Sequence, residues 1–557
     1  MSLQTTQISD GFSVSAQISA NDIEHLADKG VRLIICNRPD GEANDQPNVA
    51  EIEAAAQEHN IQVIYQPVIP GQITDGDIDG FQRHFEQSNQ RIHAYCRTGT
   101  RSITLWARYQ LRLGVPAAEL LSTARDAGYD LREALQVAAP SQAINVPHYD
   151  IVIVGAGAAG IAVASSLMTR TQRLKIAIID NADVHYYQPG WTLVGAGVFN
   201  QAQTVKTMAS LIPAGVHWIK AAVGSFDPEN NRVLLEDARP VSYERLVVAP
   251  GIKLDWHGID GLVETLGHNG VTSNYRFDLA AYTWKLVQSL KGGTALFTQP
   301  PMPIKCAGAP QKALYLSADH WKRSGVLDAI DIAFYNAGDV LFGVKDYVPA
   351  LMQYVQTYNA DLKFGHRLTR IDGSRKLAWF ATTNDAGEEV QVERAFDMIH
   401  VCPPQCAPDF VRVSPLADDA GWIDVDQNTL RHKSWSNIWG LGDAMNAPNA
   451  KTAAAARMQA PIVANNLLVD LGETHGVAHY NGYGSCPLTV ERGKIVLAEF
   501  GYGGKLLPTF PRWVINGKKP TRLAWLLKEK ILPPVYWKGM LQGREWLVDP
   551  KDSKADS

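Results

Sequence analysis

Six cysteines in 557 residues are the side chains best suited to chemistry in this sequence, namely Cys36, Cys96, Cys306, Cys402, Cys406 and Cys486. They are too sparse for the disulfide framework of a small secreted domain, so each is a buried core thiol or a reactive one. Cys306 directly follows Lys305, and both a positive charge and a nearby helix start favour a thiolate. This setting suits a reactive thiol at Cys306, and we expect Cys486 to be structural.

A second candidate is the loop CRTGTR at residues 96–101, which follows the strand-like RIHAY and precedes a helical pattern. Backbone N–H groups at a helix start and the charge of Arg101 favour a thiolate and an anion at Cys96. Four residues separate Cys96 from Arg101, as in rhodanese-type loops that carry a persulfide, whereas phosphatase loops have five and Ser102 stands at that arginine position. Sulfur transfer is favoured, with phosphatase activity and simple anion binding as alternatives. The region resembles a tyrosine-phosphatase-like family that is often fused to sulfur-metabolism enzymes.

A dinucleotide site is indicated by G-x-G-x-x-G at Gly155, Gly157 and Gly160, directly after the apolar run IVIV. These glycines permit a tight turn, the approach of a pyrophosphate and close packing of strand and helix. Asp180 ends a second apolar strand twenty residues after Gly160, where an acid meets a ribose hydroxyl. Residues 151–168 contain no charge, but their glycines favour strand, turn and helix over one membrane span.

Later segments favour FAD over NAD. Residues 243–251 are similar to the strand that returns to the FAD domain in flavoproteins with two dinucleotide domains, and they end at Pro250 and Gly251. Another apolar strand ends at Gly442–Asp443, where a carboxylate typically holds a ribityl hydroxyl. No second glycine motif follows the strand at residues 294–298, which counts against NAD(P)H as a substrate.

Longer stretches resemble the sulfide:quinone oxidoreductases, in particular their type II branch. The similarity covers nearly all of residues 149–547, and its most specific segments are HYYQPGWTLVGAG (185–197), IKCAGAPQKALYLS (304–317), GDAMNAPNAKTAAAA (442–456), YNGYGSCPL (480–488) and LAEFGYGGKLLPTFP (497–511). The resemblance implies that sulfide attacks a cysteine disulfide beside the flavin and leaves a persulfide and a thiolate. The thiolate then reacts with the flavin, the sulfane sulfur leaves to a small acceptor, and two electrons pass to quinone.

The resemblance also implies roles for individual residues. Cys306 matches the family cysteine in the IKCAGAPQK motif, and Gln188 and Lys451 join the flavin contacts. Either Cys402 or Cys406 is expected to be the partner of Cys306, and Cys402 is preferred because residues at a strand end are often directed at a flavin. If neither thiol lies close enough to Cys306 to form a disulfide, a mechanism with a single cysteine must replace the disulfide mechanism.

The predicted fold is α/β throughout: a phosphatase-like domain followed by two Rossmann-like domains. Residues 1–130 alternate strands and helices, residues 131–148 form a linker, and residues 149–511 hold two interleaved dinucleotide-type domains. Residues 512–557 are predicted to be an amphipathic membrane and quinone region, because residues 512–544 carry eight Lys or Arg against one acid, interleaved with tryptophans and leucines. The alternative is a helix packed on its own domain with a solvated basic face.

Composition limits the partners. A net charge of −5 and the lack of a basic aromatic strand pattern exclude a typical nucleic-acid binder. No His/Cys/Asp/Glu spacing suggests a metal site. No leader-like start is visible, so we expect a cytoplasmic protein attached peripherally to the inner face of the membrane, with sulfide, quinone and a small thiol or sulfite as partners. The alternatives are a soluble FAD/NAD(P)H-dependent disulfide or persulfide reductase and a non-catalytic flavin or sulfur sensor.

Overall fold

A computed structural model describes the whole chain except residues 1, 2, 4, 44, 45, 70–72, 87, 89, 132, 133, 136–145, 547 and 549–557. The chain divides into two compact units, Met1–Asn145 and Val146–Ser557. Most of the linker predicted at residues 131–148 lies outside the described residues. No helix of the described part is long and apolar enough to cross a membrane.

The first unit is an α/β domain with a five-stranded sheet in the order β1-β2-β5-β3-β4. Its elements are β1 (Thr5–Ser9), β2 (Phe12–Ser15), α1 (Ile23–Asp28), β3 (Val31–Cys36), α2 (Val49–Glu58), β4 (Gln62–Tyr65), α3 (Asp75–Glu86), β5 (Arg91–Tyr95), α4 (Thr100–Arg112) and α5 (Ala117–Asp126). The β2, β5, β3 and β4 neighbours are parallel, as predicted, whereas the hairpin of β1 and β2 was missed because its residues are mostly Thr and Ser. Cores on both faces of the sheet stabilise the unit.

The second unit contains the remaining elements. Its strands are β6 (His148–Val154), β7 (Ile176–Ile179), β8 (Val184–Tyr186), β9 (Val205–Thr207), β10 (Val216–Ile219), β11 (Val223–Asp227), β12 (Arg232–Leu235), β13 (Pro240–Val248), β14 (Lys253–Leu254), β15 (Val271–Thr272), β16 (Gly293–Gln299), β17 (Ile330–Asn336), β18 (Asp361–Phe364), β19 (Arg367–Asp372), β20 (Leu377–Thr383), β21 (Glu389–Ala395), β22 (Met398–His400), β23 (Gln405–Cys406), β24 (Ile438–Gly440), β25 (Gly484–Glu491) and β26 (Lys494–Phe500). Its helices are α6 (Ala158–Arg170), α7 (Trp191–Val194), α8 (Leu262–Thr265), α9 (Phe277–Ser289), α10 (Ala309–Arg323), α11 (Val348–Thr357), α12 (Asp409–Arg412), α13 (Ala453–Asp470), α14 (Arg522–Leu526) and α15 (Leu532–Pro534).

Two sheets organise this unit, a mixed one to which β12 and β11 add antiparallel strands and a parallel one. In the first, β10, β7, β6, β13 and β24 are parallel neighbours, so their carboxyl ends meet at one edge. The apolar residues of β6 are buried in the main core, and the chain then turns into α6, as predicted from the glycines. The second sheet, in the order β15-β22-β16-β17-β18, is parallel throughout. The loop after β16 carries Cys306, and the loop after β22 carries Cys402.

An antiparallel hairpin of β25 and β26 packs against α10 in the second core. The inward-facing residues of β25 alternate, as expected for a strand with one buried face, and they include Cys486, Leu488 and Val490. This hairpin brings a segment from late in the chain against the helix that follows Cys306.

The C-terminal segment, residues 512–546, is part of the oxidoreductase fold and not a separable tail. Tyr536 and Trp537 are buried in the main core. The Glu545 carboxylate accepts two hydrogen bonds from Arg170 of α6, at 2.6 and 2.7 Å. The Tyr536 hydroxyl lies 2.6 Å from Nε2 of His185, whose Nδ1 lies 3.2 Å from the Ala156 carbonyl in the glycine turn. One face of this segment therefore packs on its own domain, which was the alternative to the predicted membrane region.

Candidate active site

The glycine turn after β6 leaves room where a dinucleotide phosphate would lie. Gly155 has a φ of +96°, and a Cβ there would stand 2.5 Å from the Ala249 oxygen. A Cβ at Gly160 would overlap the Gly155 carbonyl, so these two glycines are needed for close packing. A Cβ at Gly157 would meet nothing within 4 Å, and Gly157 directly precedes α6. The turn therefore presents open space at a helix N-terminus, which suits a pyrophosphate.

The other predicted cofactor segments converge on this turn. The Cα atom of Pro250 lies close to Gly155, and Gly251 has a φ of +79° with open space beside it. Gly442 lies against the first turn of α6, because a Cβ at Gly442 would stand 3.1 Å from the Cβ of Ala159. The parallel order of β6, β13 and β24 produces this convergence, since all three strands end at the same edge.

Asp180 holds the glycine turn directly. Its carboxylate accepts hydrogen bonds from the backbone N–H groups of Ala156 at 2.7 Å and Ala182 at 2.8 Å. The structure thus places Asp180 against the glycine turn, and its contact with a ribose hydroxyl stays a prediction.

Asp443 and Lys451 lie where the flavin end of a dinucleotide would reach. The Lys451 ammonium donates to the carbonyls of Asp443 and Met445 at 2.7 and 2.8 Å, and burial lowers the pKa of Lys451 to about 8. Burial raises the pKa of Asp443, and the charges of Lys451 and Lys305 oppose that shift. A carboxylate beside an open glycine cradle fits the hydroxyl-rich chain of FAD.

Gln188 connects the cofactor region with the cysteine loop. Its side-chain oxygen accepts a hydrogen bond of 2.7 Å from the ammonium of Lys305, the residue before Cys306. The Lys305 N–H donates to the Gln405 side chain at 2.8 Å. Burial lowers the pKa of Lys305, whose ammonium is held by Gln188 and whose main chain is held by Gln405.

Cys306 adopts an unusual backbone conformation. Its φ of +51° is in the left-handed region, which residues with a Cβ seldom occupy, and such strain is often found at functional sites. The surrounding backbone fixes it: the Cys306 N–H donates to the Lys451 carbonyl at 2.8 Å, and the Cys306 carbonyl accepts from the Ala309 N–H at 2.7 Å. The first of these bonds ties the cysteine loop to the segment that carries the flavin contacts.

The thiol in contact with Cys306 is that of Cys486. The two Sγ atoms are 4.0 Å apart, about twice the ~2.05 Å length of a disulfide bond. Gly308 makes the approach possible, because a Cβ there would stand 2.6 Å from the Cys486 sulfur. The pair is formed by the loop after β16 and the strand β25, which are 180 residues apart in sequence.

Lys312, on the first turn of α10, supplies the charge that this pair needs. Its ammonium is 3.1 Å from the Cys306 sulfur, and its side chain is almost wholly buried at 2% exposure. A hydrogen bond from the Cys486 thiol and the positive charge of Lys312 together hold the pKa of Cys306 well below its usual range. The same hydrogen bond and burial raise the pKa of Cys486. Cys306 is therefore the thiolate and Cys486 the neutral thiol of the reduced pair.

These contacts correct the predictions for the other cysteines. Cys402, the preferred partner, lies in the same small apolar cluster as Cys306, but its sulfur is near the Pro403 carbonyl at 3.8 Å and the Gln405 amide at 3.7 Å. Burial raises the pKa of Cys402 to about 12, so it stays a neutral thiol. Cys406 is in the two-residue strand β23, with Arg412 as its neighbour at 4.0 Å. Cys486, which was predicted to be structural, is the cysteine whose sulfur the structure places against that of Cys306.

The N-terminal cysteine lies in the predicted loop between β5 and α4. Cys96 is buried, and its sulfur accepts a hydrogen bond of 3.1 Å from the Gly99 N–H, just before the helix. The Arg101 guanidinium donates instead to the Glu42 carboxylate at 2.7 Å and to the Val68 carbonyl at 3.1 Å. One backbone N–H at the Cys96 sulfur and a helix start after it are observed, while the binding of an anion and its support by Arg101 stay predictions.

Comparison with known proteins agrees with this arrangement. Residues 149–287 match the pyridine nucleotide-disulphide oxidoreductase family. The mitochondrial sulfide:quinone oxidoreductase of Mus musculus is 37% identical over 396 residues, which are 71% of this chain and 87% of that protein. The chain belongs to the sulfide:quinone oxidoreductase family. The Dictyostelium discoideum member is 41% identical over 71% of this chain and 86% of its own. This membership confirms three predictions: the family, the class of enzyme (an FAD-dependent oxidoreductase) and FAD as the cofactor.

A solved structure and a second family describe the rest. The X-ray structure of the Aquifex aeolicus sulfide:quinone oxidoreductase covers 92% of that chain and 72% of this one, with a TM-score of 0.59 and 18% identity, and supports the predicted fold. Residues 4–112 match the phosphatase-like domain of beta-lactamase hydrolase-like proteins. The Xylella fastidiosa protein of that name is 31% identical over 136 residues, which are 24% of this chain and 31% of that protein. These matches confirm the predicted order of an N-terminal phosphatase-like domain and Rossmann-like domains.

Two residues of the site were not found from the sequence. Cys486 stands in YNGYGSCPL, a segment already recognised as family-specific, so its motif was the available signal. Lys312 stands six residues after Cys306, within the IKCAGAPQK motif. Since the chain turns into α10 only at Ala309, spacing alone did not show that the ammonium returns to the cysteine.

Replacing Lys312 tests its effect on the thiolate. In the reduced protein, Lys312→Met should move the pH midpoint of Cys306 alkylation upward by about one unit or more, because the buried counter-charge is removed. Peptide-level mass spectrometry of iodoacetamide labelling across a pH series measures it. Lys322→Met, an exposed lysine of the same helix, is the matched control. An unchanged midpoint in Lys312→Met would show that Cys306 is ionised by another group.

Proposed function

We propose that this protein oxidises sulfide to sulfane sulfur at Cys306 and Cys486 and delivers the electrons through FAD to a membrane quinone. The observation that carries the proposal is the pair of sulfurs 4.0 Å apart with a buried ammonium 3.1 Å from one of them. Such a pair can alternate between a disulfide and a thiolate–thiol state. The relatives named above, which are sulfide:quinone oxidoreductases, support the same reaction.

The charges of the pair suggest the direction of attack. When the pair is oxidised, hydrosulfide attacks the Cys486 sulfur, a new S–S bond forms there, and the Cys306–Cys486 bond breaks. Cys306 leaves as the thiolate, since the thiol with the lower pKa is the better leaving group and Lys312 neutralises it. The products are a persulfide on Cys486 and a thiolate on Cys306, so atoms and charge balance without a further reactant.

The remaining steps return the site to its starting state. FAD, when bound, accepts two electrons from the sulfur centre and passes them to quinone. Gly157, Gly251, Asp443 and Gln188 are the residues proposed to hold it. A small nucleophile, a thiol or sulfite, takes the outer sulfur of the Cys486 persulfide. Cys486 is buried between α10 and β25 and Cys306 is half-buried, so an outer sulfur on Cys486 would be shielded from bulk water.

Two alternatives are less well supported. An NAD(P)H-dependent reductase needs a second nucleotide cradle, and the strand β16 is followed by the Cys306 loop instead of a glycine motif. A sensor without turnover does not need a buried cation at the sulfur pair. Anaerobic titration distinguishes them, because NADH should leave the flavin oxidised, sulfide should bleach it, and added quinone should restore its colour.

Substitution of the paired cysteine tests the assignment. Cys486→Ser should lower sulfide-dependent quinone reduction about a hundredfold or more while FAD stays bound, because no disulfide can form with Cys306. Cys406→Ser, a half-buried thiol outside the pair, should change the rate less than twofold. Steady-state assays with matched flavin content measure both. If Cys406→Ser were the more damaging variant, Cys486 would not be the partner.

The exposed face of the C-terminal segment is proposed to bind the membrane peripherally, at its cytoplasmic face. Trp513 is 88% exposed, and Leu523, Leu526 and Ile531 are each between 44% and 47% exposed. Exposed basic residues, among them Arg522 and Lys530, lie between these apolar residues in the sequence. Apolar residues next to basic ones suit the surface of an anionic bilayer, and a quinone substrate must enter from that bilayer.

Surface substitutions test this without disturbing the packed face. Leu523→Ser/Leu526→Ser should lower binding to anionic vesicles about tenfold or more, since each buried leucine contributes about 1.5–3 kcal/mol. Co-sedimentation measures the bound fraction, and flavin absorbance checks the fold. Val413→Ser, which alters an apolar residue with 85% exposure outside the segment, should bind like the wild type. Equal binding of the double variant would rule this surface out.

The N-terminal domain is proposed to receive sulfane sulfur on Cys96 and to hand it on. The Gly99 N–H at the Cys96 sulfur and the start of α4 support a bound anion. Tethering this thiol to the oxidoreductase unit raises its concentration near the sulfur that the other unit releases. A small thiol carrier between the two cysteines accounts for the transfer without direct contact of the two units.

Sulfur transfer can be assayed in the full-length chain with Cys306→Ser, which silences the oxidoreductase site. Thiosulfate or glutathione persulfide as donor and cyanide as acceptor should give thiocyanate, and adding Cys96→Ser should abolish it. Cys36→Ser, another buried thiol of this domain, should retain activity within about twofold. Phosphatase turnover above the rate of sulfur transfer would contradict the proposal.

A further inference from the structure

Two arginines of the N-terminal unit, Arg38 and Arg101, are buried, although arginine is normally a surface residue. Each is at most 7% exposed. Their guanidinium groups converge on one atom, Oε2 of Glu42: Arg38 donates from Nε at 2.8 Å, and Arg101 donates from Nη2 at 2.7 Å. The Glu42 side chain is 23% exposed, so the carboxylate is the part of this cluster that solvent reaches most easily.

Neutral groups fix the position of each guanidinium. Arg38 donates from Nη1 to the Gln17 side-chain oxygen at 2.9 Å, and Arg101 donates from Nη1 to the Val68 carbonyl at 3.1 Å. These two acceptors carry no charge, so Glu42 is the anion that both arginines contact. Two cations against one carboxylate leave an excess positive charge, and buried charge without compensation is unfavourable. An anion with two negative charges would balance the pair of arginines better than Glu42 does.

The two arginines lie at the sheet edge that carries Cys96. Strands β5, β3 and β4 are parallel neighbours, so their carboxyl ends meet at this edge, where open α/β sheets bind ligands. Asn37, the residue before Arg38, donates its N–H to the carbonyl of Tyr95, the residue before Cys96, at 2.8 Å. The carbonyl of Asn37 accepts the N–H of Val68 at 3.2 Å. Main-chain bonds therefore connect the cysteine loop with the segments that hold both arginines.

Glu42 belongs to the loop between β3 and α2 and not to either element. Its carboxylate can therefore leave the two arginines without breaking a strand or a helix. Burial would raise the pKa of Glu42, but the hydrogen bonds from Arg101 and Arg38 outweigh burial and lower it, so this residue is an anion. Paired guanidinium groups are the arrangement by which proteins recognise tetrahedral oxyanions. Glu42 thus lies where such an oxyanion would be bound.

We infer that Arg38 and Arg101 form an oxyanion subsite for the Cys96 loop, which Glu42 occupies in the free protein and which thiosulfate enters by displacing that carboxylate. The inference rests on the proposed sulfur transfer at Cys96 and names its donor. The Cys96 thiolate attacks the outer sulfur of thiosulfate, a new S–S bond forms at Cys96, the S–S bond of thiosulfate breaks, and sulfite leaves with the electron pair. Atoms and charge balance without a further reactant.

This subsite would also connect the reactions of the two units. Sulfite is one of the acceptors proposed for the Cys486 persulfide, and that reaction produces thiosulfate. Thiosulfate then takes the place of the small thiol carrier, and the sulfite released at Cys96 is available to accept sulfur again. Glu42 ensures that the two buried cations keep a counter-charge whenever thiosulfate is absent.

Binding can be measured separately from sulfur transfer. The full-length flavoprotein with Cys96→Ser and Cys306→Ser has lost both proposed sulfur-accepting thiolates, so calorimetric titration with thiosulfate reports binding. In this background, Glu42→Gln should lower the Kd for thiosulfate about tenfold, because a neutral amide competes less for the guanidinium groups and leaves the subsite open more often. Glu53→Gln, which alters an exposed acid of α2, should change the Kd less than about twofold. Equal Kd values with Glu42 and with Gln at this position would overturn the inference.

An arginine variant tests the other half of the subsite. In the same background, Arg38→Met should raise the Kd for thiosulfate at least about tenfold, whereas Arg83→Met, an exposed arginine of α3, should stay within about twofold. Unchanged binding in Arg38→Met would overturn the role of this arginine. A gain of affinity in Glu42→Gln cannot result from misfolding, so that variant decides the inference even if Arg38→Met is unstable.

Phenyl phosphate distinguishes a sulfur oxyanion from a phosphate ester, which has a similar tetrahedral charge. It should bind at least about tenfold more weakly than thiosulfate, because four residues between Cys96 and Arg101 give a narrower loop than the five of phosphatases. Equal binding of the two ligands would overturn the assignment to a sulfur donor.

Sulfur transfer itself is then assayed with Cys96 restored and cyanide as acceptor. Glu42→Gln should lower the KM for thiosulfate about tenfold with kcat within about twofold, and should change the KM for glutathione persulfide less than about threefold. A similar fall in KM for both donors would overturn the selectivity for thiosulfate. Absence of thiocyanate with either donor in every protein would overturn the proposed sulfur transfer, whereas failure of the subsite alone would appear as equal thiosulfate binding in the titrations.

Discussion

A buried ammonium 3.1 Å from a sulfur is the interaction on which the oxidoreductase unit depends. Lys312 lies in the first turn of α10 and is screened from solvent, so its charge requires a nearby anion. The Cys306 thiolate supplies that anion, and the chain accepts a left-handed backbone at Cys306 to place it there. Gly308 then leaves space for the strand β25 to bring in the second sulfur. Helix, loop and hairpin are thus arranged around one ion pair.

The same ion pair is connected to the cofactor cradle through main-chain bonds. Lys451 is the connection: its side chain bonds the carbonyls of Asp443 and Met445, and its own carbonyl receives the Cys306 N–H. A shift in either loop therefore moves the other. These bonds join the Cys306 loop to the loop that carries Asp443, and two-electron chemistry between a sulfur and a flavin would need such a fixed geometry.

How far the sequence predicted this site depended on the range of the contacts. The glycines at 155, 157 and 160 sit within one strand–turn–helix unit, so local spacing was enough to predict their role. The Cys306–Cys486 contact joins segments 180 residues apart, and only the pairing of β25 with β26 on α10 creates it. The position of Cys402 at a strand end favoured the loop that carries Cys402 and Cys406 instead. The basic C-terminal pattern likewise did not reveal the π-helical turn Leu527–Ile531, in which Lys528 is buried and Lys530 is exposed.

The hydrogen bond between His185 and Tyr536 gives the C-terminal segment a part in shaping the glycine turn. His185 lies between the Ala156 carbonyl and the Tyr536 hydroxyl, so the glycine turn and the last helical turns of the chain support each other. A chain that ended before Tyr536 would therefore lose support for its glycine turn as well as part of the main core.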